Sequence, residues 1–127
     1  MSDYLINSLY EDISDLRRRI RNNEEDIIRL NQAKSEITNE EAELATQKNK
    51  VHDPALHVDT WAGKYADQFE TIRDSIDSTI ASAMLDKSEA FISRIETEVS
   101  RLQELNENYR DTISDKYALI ANLRDTD

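Results

Sequence analysis

The chain has no cysteine, one proline, one glycine and one tryptophan in 127 residues. Without cysteine there is no disulfide framework, no thiolate metal ligand and no cysteine nucleophile. A single proline and a single glycine leave almost no turn chemistry, so the backbone cannot reverse many times and the architecture has to be simple. No run of about 18 apolar residues exists to cross a bilayer, and the N-terminal MSDYLINSLYEDISDL lacks the basic region and apolar core of a secretory signal. Cation is scarce as well: 16 Lys and Arg stand against 27 Asp and Glu, for a net charge of −11. Residues 1–50 carry 8 basic and 11 acidic side chains (−3) and residues 51–127 carry 8 and 16 (−8). Nucleic acid is therefore not an expected partner, and neither is an anionic membrane surface; direct membrane insertion is not expected.

What is present is periodicity. Charged residues at 34% and apolar ones at 38% would also suit a disordered chain, but here the apolar residues recur at regular spacings. Stepping alternately by four and three from Leu9 gives Leu9, Ile13, Leu16, Ile20, Asn23, Ile27, Leu30, Lys34, Ile37, Glu41, Leu44, Lys48 and Val51, nine of the thirteen aliphatic. That is a heptad seam, one narrow apolar stripe held toward a partner helix. A helix over 4–50 would run roughly 70 Å at 1.5 Å per residue.

The break falls at KVHDPALHVDT. Pro54 has no amide hydrogen and moves Asp53 out of the helical region, while Asp59 and Thr60 are competent N-caps for a second helix. Apolar residues then resume at Trp61, Tyr65, Phe69, Ile72, Ile76 and Ile80, and again from Phe91 through Leu123. Several steps run 4-4-3, an eleven-residue period that favours a straight or slightly right-handed course. The expected fold is all-α: one domain over 1–127 forming an antiparallel, coiled-coil-like hairpin of helix 4–50, bend 51–61 and helix 62–124. The second helix would exceed the first by roughly 25 Å, and the surplus is expected to overhang at the C-terminus, with no break required at 84–90.

A lone two-helix hairpin has one shared interface, so side chains flanking the seam, Ile6, Ile28, Leu85 and Ile92 among them, are expected in water unless another polypeptide covers them. The stripes Leu9/Ile13/Leu16/Ile20 and Ile72/Ile76/Ile80 are the candidates for lateral packing onto that partner. At the bend, Gly63 permits close helix approach and Trp61 supplies a large apolar body with one N–H; the pair either clasps the hairpin end or is offered for recognition.

Chemistry has little to stand on. No nucleophile sits with a base and an orienting group, there is no glycine-rich phosphate loop, and the carboxylates fall on solvated helix faces, so the chain does not read as an enzyme and no cofactor is implied. His52, Asp53 and His57 raise the question of a metal, but the two histidines lie five apart across a proline with no fourth ligand nearby. The run RRRIR, residues 17–21, is embedded among acids at helix-pairing distance and reads as a solvated face.

A chain of this length, helical, acidic and free of cysteine, with WAG (Trp61, Ala62, Gly63) at the bend between two long helices, resembles the WXG-type small proteins of type VII secretion. It is most similar to the YwqH-like group associated with LXG polymorphic toxins, across DTWAGKYADQFETI after the bend and IIRLNQAKSEI before it. The resemblance implies an adaptor or targeting chaperone that binds the helical N-terminal LXG domain of a toxin and helps present it to the secretion ATPase. It implies a cytoplasmic protein before export and a signal-peptide-independent route out. In that system an export signal joins a Trp-x-Gly bend to an aromatic-x-x-x-acid tail on a second subunit. Here every Tyr and Phe is followed four residues on by a non-acidic residue, so Trp61 and Gly63 could supply only one half and a second small helical protein or the toxin would supply the other. A homodimer is compatible with the pattern but would be incomplete as a substrate. The alternative reading is a self-associating coiled-coil scaffold with no role in secretion.

Overall fold

A computed structural model describes residues 2–53 and 63–126, and the chain is an all-α helical hairpin. Helix α1 runs Ser2–Lys50, α2 Gly63–Thr79 and α3 Asp86–Thr126, and α2 passes into α3 through a π-helical segment, Ile80–Leu85. The second rod is the longer one. Asp3 in the first turn of α1 and Lys48 and Lys50 in its last complement the helix dipole. The helix stops one turn short of Pro54, tightening as the amides of Val51 and Asp53 bond back three residues to Lys48 and Lys50. Thr38 to Glu41 lies mid-helix, the Thr38 hydroxyl bonding back to the Lys34 carbonyl.

The chain packs as two units, residues 1–32 with 96–127, and residues 33–95. In the first, Ile6, Ile13 and Ile20 of α1 close on Ile113 and Ile120 of α3, with Leu9, Leu16, Tyr109 and Leu123 packed alongside. The pairing is antiparallel, and the flanking contacts record it: Tyr10 accepts from Arg124 (2.9 Å), Asp12 meets Lys116 (3.2 Å), Tyr117 accepts from Arg17 (2.6 Å) and Glu24 meets Arg110 (2.8 Å). Arginines also lie over the tyrosine rings, Arg17 on Tyr117 and Arg124 on Tyr10, so two basic residues serve as covers for aromatic edges of the seam. Each exposed ion pair adds about 1 kcal/mol at most. The isoleucines carry this unit.

One polar pair interrupts it. Asn106 is 2% exposed and its side-chain oxygen accepts from the Asn23 amide at 2.8 Å, while its own amide reaches the Ile20 carbonyl at 3.4 Å. A buried asparagine at a seam position favours one register, because any slip leaves it unpaired among apolar neighbours.

The heptad register expected for α1 matches its burial: none of the thirteen positions from Leu9 to Val51 is exposed. Three expectations change. Ile6 is buried, the seam beginning one step earlier than the flank to which it was assigned. Leu85 and Ile92 are half-buried, and only Ile28 of the four flanking residues stands well exposed. The surplus length of the second rod is not at the C-terminus, where Arg124 meets Tyr10; it lies at the bend, where Arg73 already reaches the carbonyls that end α1 and the residues of α2 before it run on past them.

The π-helical segment explains why the period of the second rod misleads. Toward α1, the second rod turns Glu70, Arg73, Asp77 and Ile80 up to the start of this segment, whereas from Ala81 onward the inward positions are Ala81, Leu85, Ser88, Ile92 and Ile95, the same 4-3 spacing displaced by one residue. A π turn absorbs one extra residue, and the Asp86 amide here bonds five residues back to Ala81. Hydroxyls that compete for carbonyls surround it: Thr79 bonds to Ser75, Ser82 to Ser78 and Ser88 to Leu85. Such back-bonding loosens and bends helices. The second rod follows heptads with one inserted residue rather than an eleven-residue repeat, and Ile72 and Ile76, which seeded that period, are 56% and 45% exposed.

Two substitutions distinguish seam from surface. Ile13→Ala should lower stability by about 2–4 kcal/mol in urea unfolding, since it empties a closed site, and Ile72→Ala should change it by less than about 0.5 kcal/mol. Asn106→Ala should cost about 1–3 kcal/mol by stranding the Asn23 amide that Asn106 pairs with. An Ile13→Ala protein as stable as the parent would contradict the burial described here.

Candidate interaction site

The unit formed by residues 33–95 is built differently from its neighbour. Among its described residues no apolar side chain is fully buried, and the buried one is an arginine, Arg73, at 7% exposure. Arg73 donates to the backbone carbonyls of His52 (3.2 Å) and Asp53 (3.4 Å), meets Glu70 at 3.3 Å and lies over the Phe69 ring at 5.0 Å. A guanidinium on the carbonyls that follow the end of α1 satisfies acceptors left without intrahelical donors and opposes the negative end of the dipole. Lys48 pairs with Asp77 at 3.0 Å. The His52 ring places Nδ1 3.5 Å from Glu70 and Nε2 3.8 Å from both Asp74 and Asp77. The end of the hairpin is held by charge.

His52, Glu70 and Asp74 bring one ligand atom each within 4.8 Å of one another, a set whose donor types suit a divalent cation. The same carboxylate cluster already faces Arg73 and Lys48, and the geometry is that of a histidine–carboxylate clamp in which His52 and Glu70 are half-exposed and Asp74 is open to water. Sequence reasoning had grouped His52 with Asp53 and His57. The fold joins it instead to acids about twenty positions away; His57 lies outside the described residues.

Further from the bend the unit opens into a groove of about 410 Å³ between α1 and the second rod, with Ile37, Leu44, Met84 and Phe91 as its apolar lining. Met84 and Phe91 are 47% and 55% exposed. Helical spacing carries the same stripe back toward the bend through Ile76, Ile72 and Phe69, all exposed. On the other flank, Glu41 and Glu89 face each other across the seam beside Ser88. Loss of hydration, then a hydrogen bond and repulsion from Glu89, push the Glu41 carboxyl above its ordinary value, the Ser88 hydroxyl partly opposing this.

The residues singled out from sequence are distributed as follows. Trp61 lies outside the described residues, and Gly63 is the first residue of α2. Leu9, Ile13, Leu16 and Ile20 are engaged in the hairpin's own seam, which leaves Ile13 and Ile20 no area to give a partner because Ile113 and Ile120 already cover them. Ile72 and Ile76 face water, and Ile80 is half-buried at the start of the π segment. Arg73, Met84, Phe91 and the Glu41–Glu89 pair were not singled out; the cluster of serine and threonine from Ser75 to Ser82 was the available sign that the stripe slips there.

A family model described as YwqH-like matches residues 5–125. The chain belongs to the YwqH-like family. The match takes in both units of this YwqH-like protein, the polar clamp and the open groove included. No curated protein and no solved structure matches the chain. Among the described residues no helix is long and apolar enough to cross a membrane.

The Glu41–Glu89 contact predicts a pH dependence. An acid whose pKa is raised by folding contributes stability below its ordinary value, near 4.5, and that contribution is lost as pH rises through the higher folded value. Glu41→Gln should therefore raise the melting temperature at pH 7, and the difference from the parent should shrink toward about pH 4, as the Glu41 carboxyl becomes protonated. Thermal melts followed by circular dichroism at both pH values check it. A variant melting lower at pH 7 would remove the repulsion from the account.

Proposed function

We propose that this YwqH-like protein is a partner-binding adaptor: it covers, and is covered by, the helical N-terminal LXG domain of a secreted toxin, and helps present that domain to a type VII secretion ATPase. The observation that carries the reading is the contrast between the two units. Both leave some apolar side chains exposed, but one also buries Ile6, Ile13, Ile20, Leu102, Ile113 and Ile120, whereas the other has no fully buried apolar residue among those described and keeps Phe69, Ile72, Ile76, Met84 and Phe91 along one flank in water. A surface of that kind is costly to expose and marks a site of association. Membership of the family supports the choice of partner, since the group it resembles is associated with LXG toxins.

In this proposal the Trp61–Ala62–Gly63 motif contributes half of a composite export signal, and the partner supplies the acidic tail motif that this chain lacks. The protein acts without catalysis or cofactor, is cytoplasmic before export, and leaves, where it leaves, with the complex. A self-associating coiled-coil scaffold is the competing reading.

Co-expression with the helical domain of a neighbour-encoded toxin should give a stable heteromeric complex by size-exclusion chromatography with light scattering, and the chain alone should melt less cooperatively than the complex. A tight homo-oligomer that ignores the toxin domain would overturn the adaptor reading. Trp61→Ala should abolish export of the complex while leaving the partner bound; loss of binding together with helicity would reduce Trp61 to a structural clasp.

A further inference from the structure

Resting on the adaptor reading but going beyond it, the geometry points to where the partner docks and what it looks like: we propose that the flank of residues 33–95 lined by Ile37, Leu44, Met84 and Phe91 receives one amphipathic helix whose apolar stripe is bordered by lysine or arginine. The groove holds about 410 Å³ and lies along two helices, the shape into which the ridge of a third helix fits at an interaxial distance of about 8–10 Å. Its apolar stripe continues through Ile76 and Ile72 at helical spacing, long enough for several turns of a partner rather than for a single side chain or a small molecule.

Charge selects among occupants. The groove's rim carries Glu36, Glu40 and Glu41 against one cation, Lys87. The whole unit, residues 33–95, holds 12 acidic and 7 basic side chains, a net of −5. A second copy of this chain would bring the same carboxylates onto that rim, and like charges set face to face weaken association. A helix flanked by Lys or Arg would pair with Glu36 and Glu40 and give Glu41 the cation that its present neighbour Glu89 cannot supply. The basic border also distinguishes the partner from a membrane surface, since an anionic bilayer meets the same repulsion.

The test uses the full chain and two synthetic helical peptides of about three heptads with leucine at the a and d positions, one with lysine and the other with glutamate at the flanking positions. Fluorescence anisotropy should show the lysine peptide binding at least about tenfold more tightly than the glutamate peptide, with the difference shrinking as salt is raised. Met84→Ser combined with Phe91→Ser should weaken the lysine peptide by at least about tenfold, with circular dichroism unchanged because both side chains are exposed, and Ile28→Ser on the other unit should leave it as it was. Equal binding of the two peptides, or indifference to the double substitution, would overturn the proposal. So would light scattering in which the parent self-associates and the double variant does not, which would make the occupant a second copy. Failure of the parent to hold the toxin's helical domain would instead sink the adaptor reading; a complex that forms but survives the double substitution would spare that reading and sink this site.

Discussion

The structure depends on one narrow line of contact between two antiparallel helices. A single seam must supply all the burial a two-helix fold can have, because there is no second layer to share it. Where the seam is isoleucine on isoleucine, as at Ile13 and Ile120, each 2% exposed, it closes completely. Where it becomes Glu41, Lys48, Asp77 and Arg73, the helices are still held, but by pairs of charges that return little net free energy on a wet surface. The chain therefore has a part with a closed apolar seam and a part in which, among the described residues, no apolar side chain is fully buried.

That division gives the functional reading its physical basis. A helix that hides polar residues in the seam and displays aliphatic and aromatic ones on its flank is the reverse of a surface helix in a solitary globule. The inversion begins at the π segment, which displaces the inward positions by one residue, so that Glu70, Arg73 and Asp77 face α1 while Ile72 and Ile76 are carried outside. An irregularity of one residue thus decides which face of α2 is offered to another molecule.

The fold was legible in the sequence because a heptad is a strong local signal and α1 has no competing one. Even its polar members, Asn23, Lys34, Glu41 and Lys48, sit in the register the pattern requires. The second rod was read less well for a definite reason. Periodicity locates apolar residues and assumes they face inward; here the residues from Phe69 to Ile80 form a consistent stripe that faces outward, and a single inserted residue joins it smoothly to the true seam at Ile92 and Ile95. Asn106 carries no apolar signal, and a buried amide pair is visible only when its partner, Asn23, is set across from it. The histidine clamp was beyond reach for a similar reason, since Glu70 and Asp74 meet His52 only once the hairpin has closed. The site residues proposed for the bend rest on the family resemblance rather than on packing.

Arg73 ties off α1 from the opposite helix, gripping the two carbonyls that follow its last turn while Phe69 shields the guanidinium's face. Closure of the hairpin is in this way anchored by a side chain that is not part of the connecting stretch at all. The identity of one residue in the opposite helix thereby governs how α1 ends.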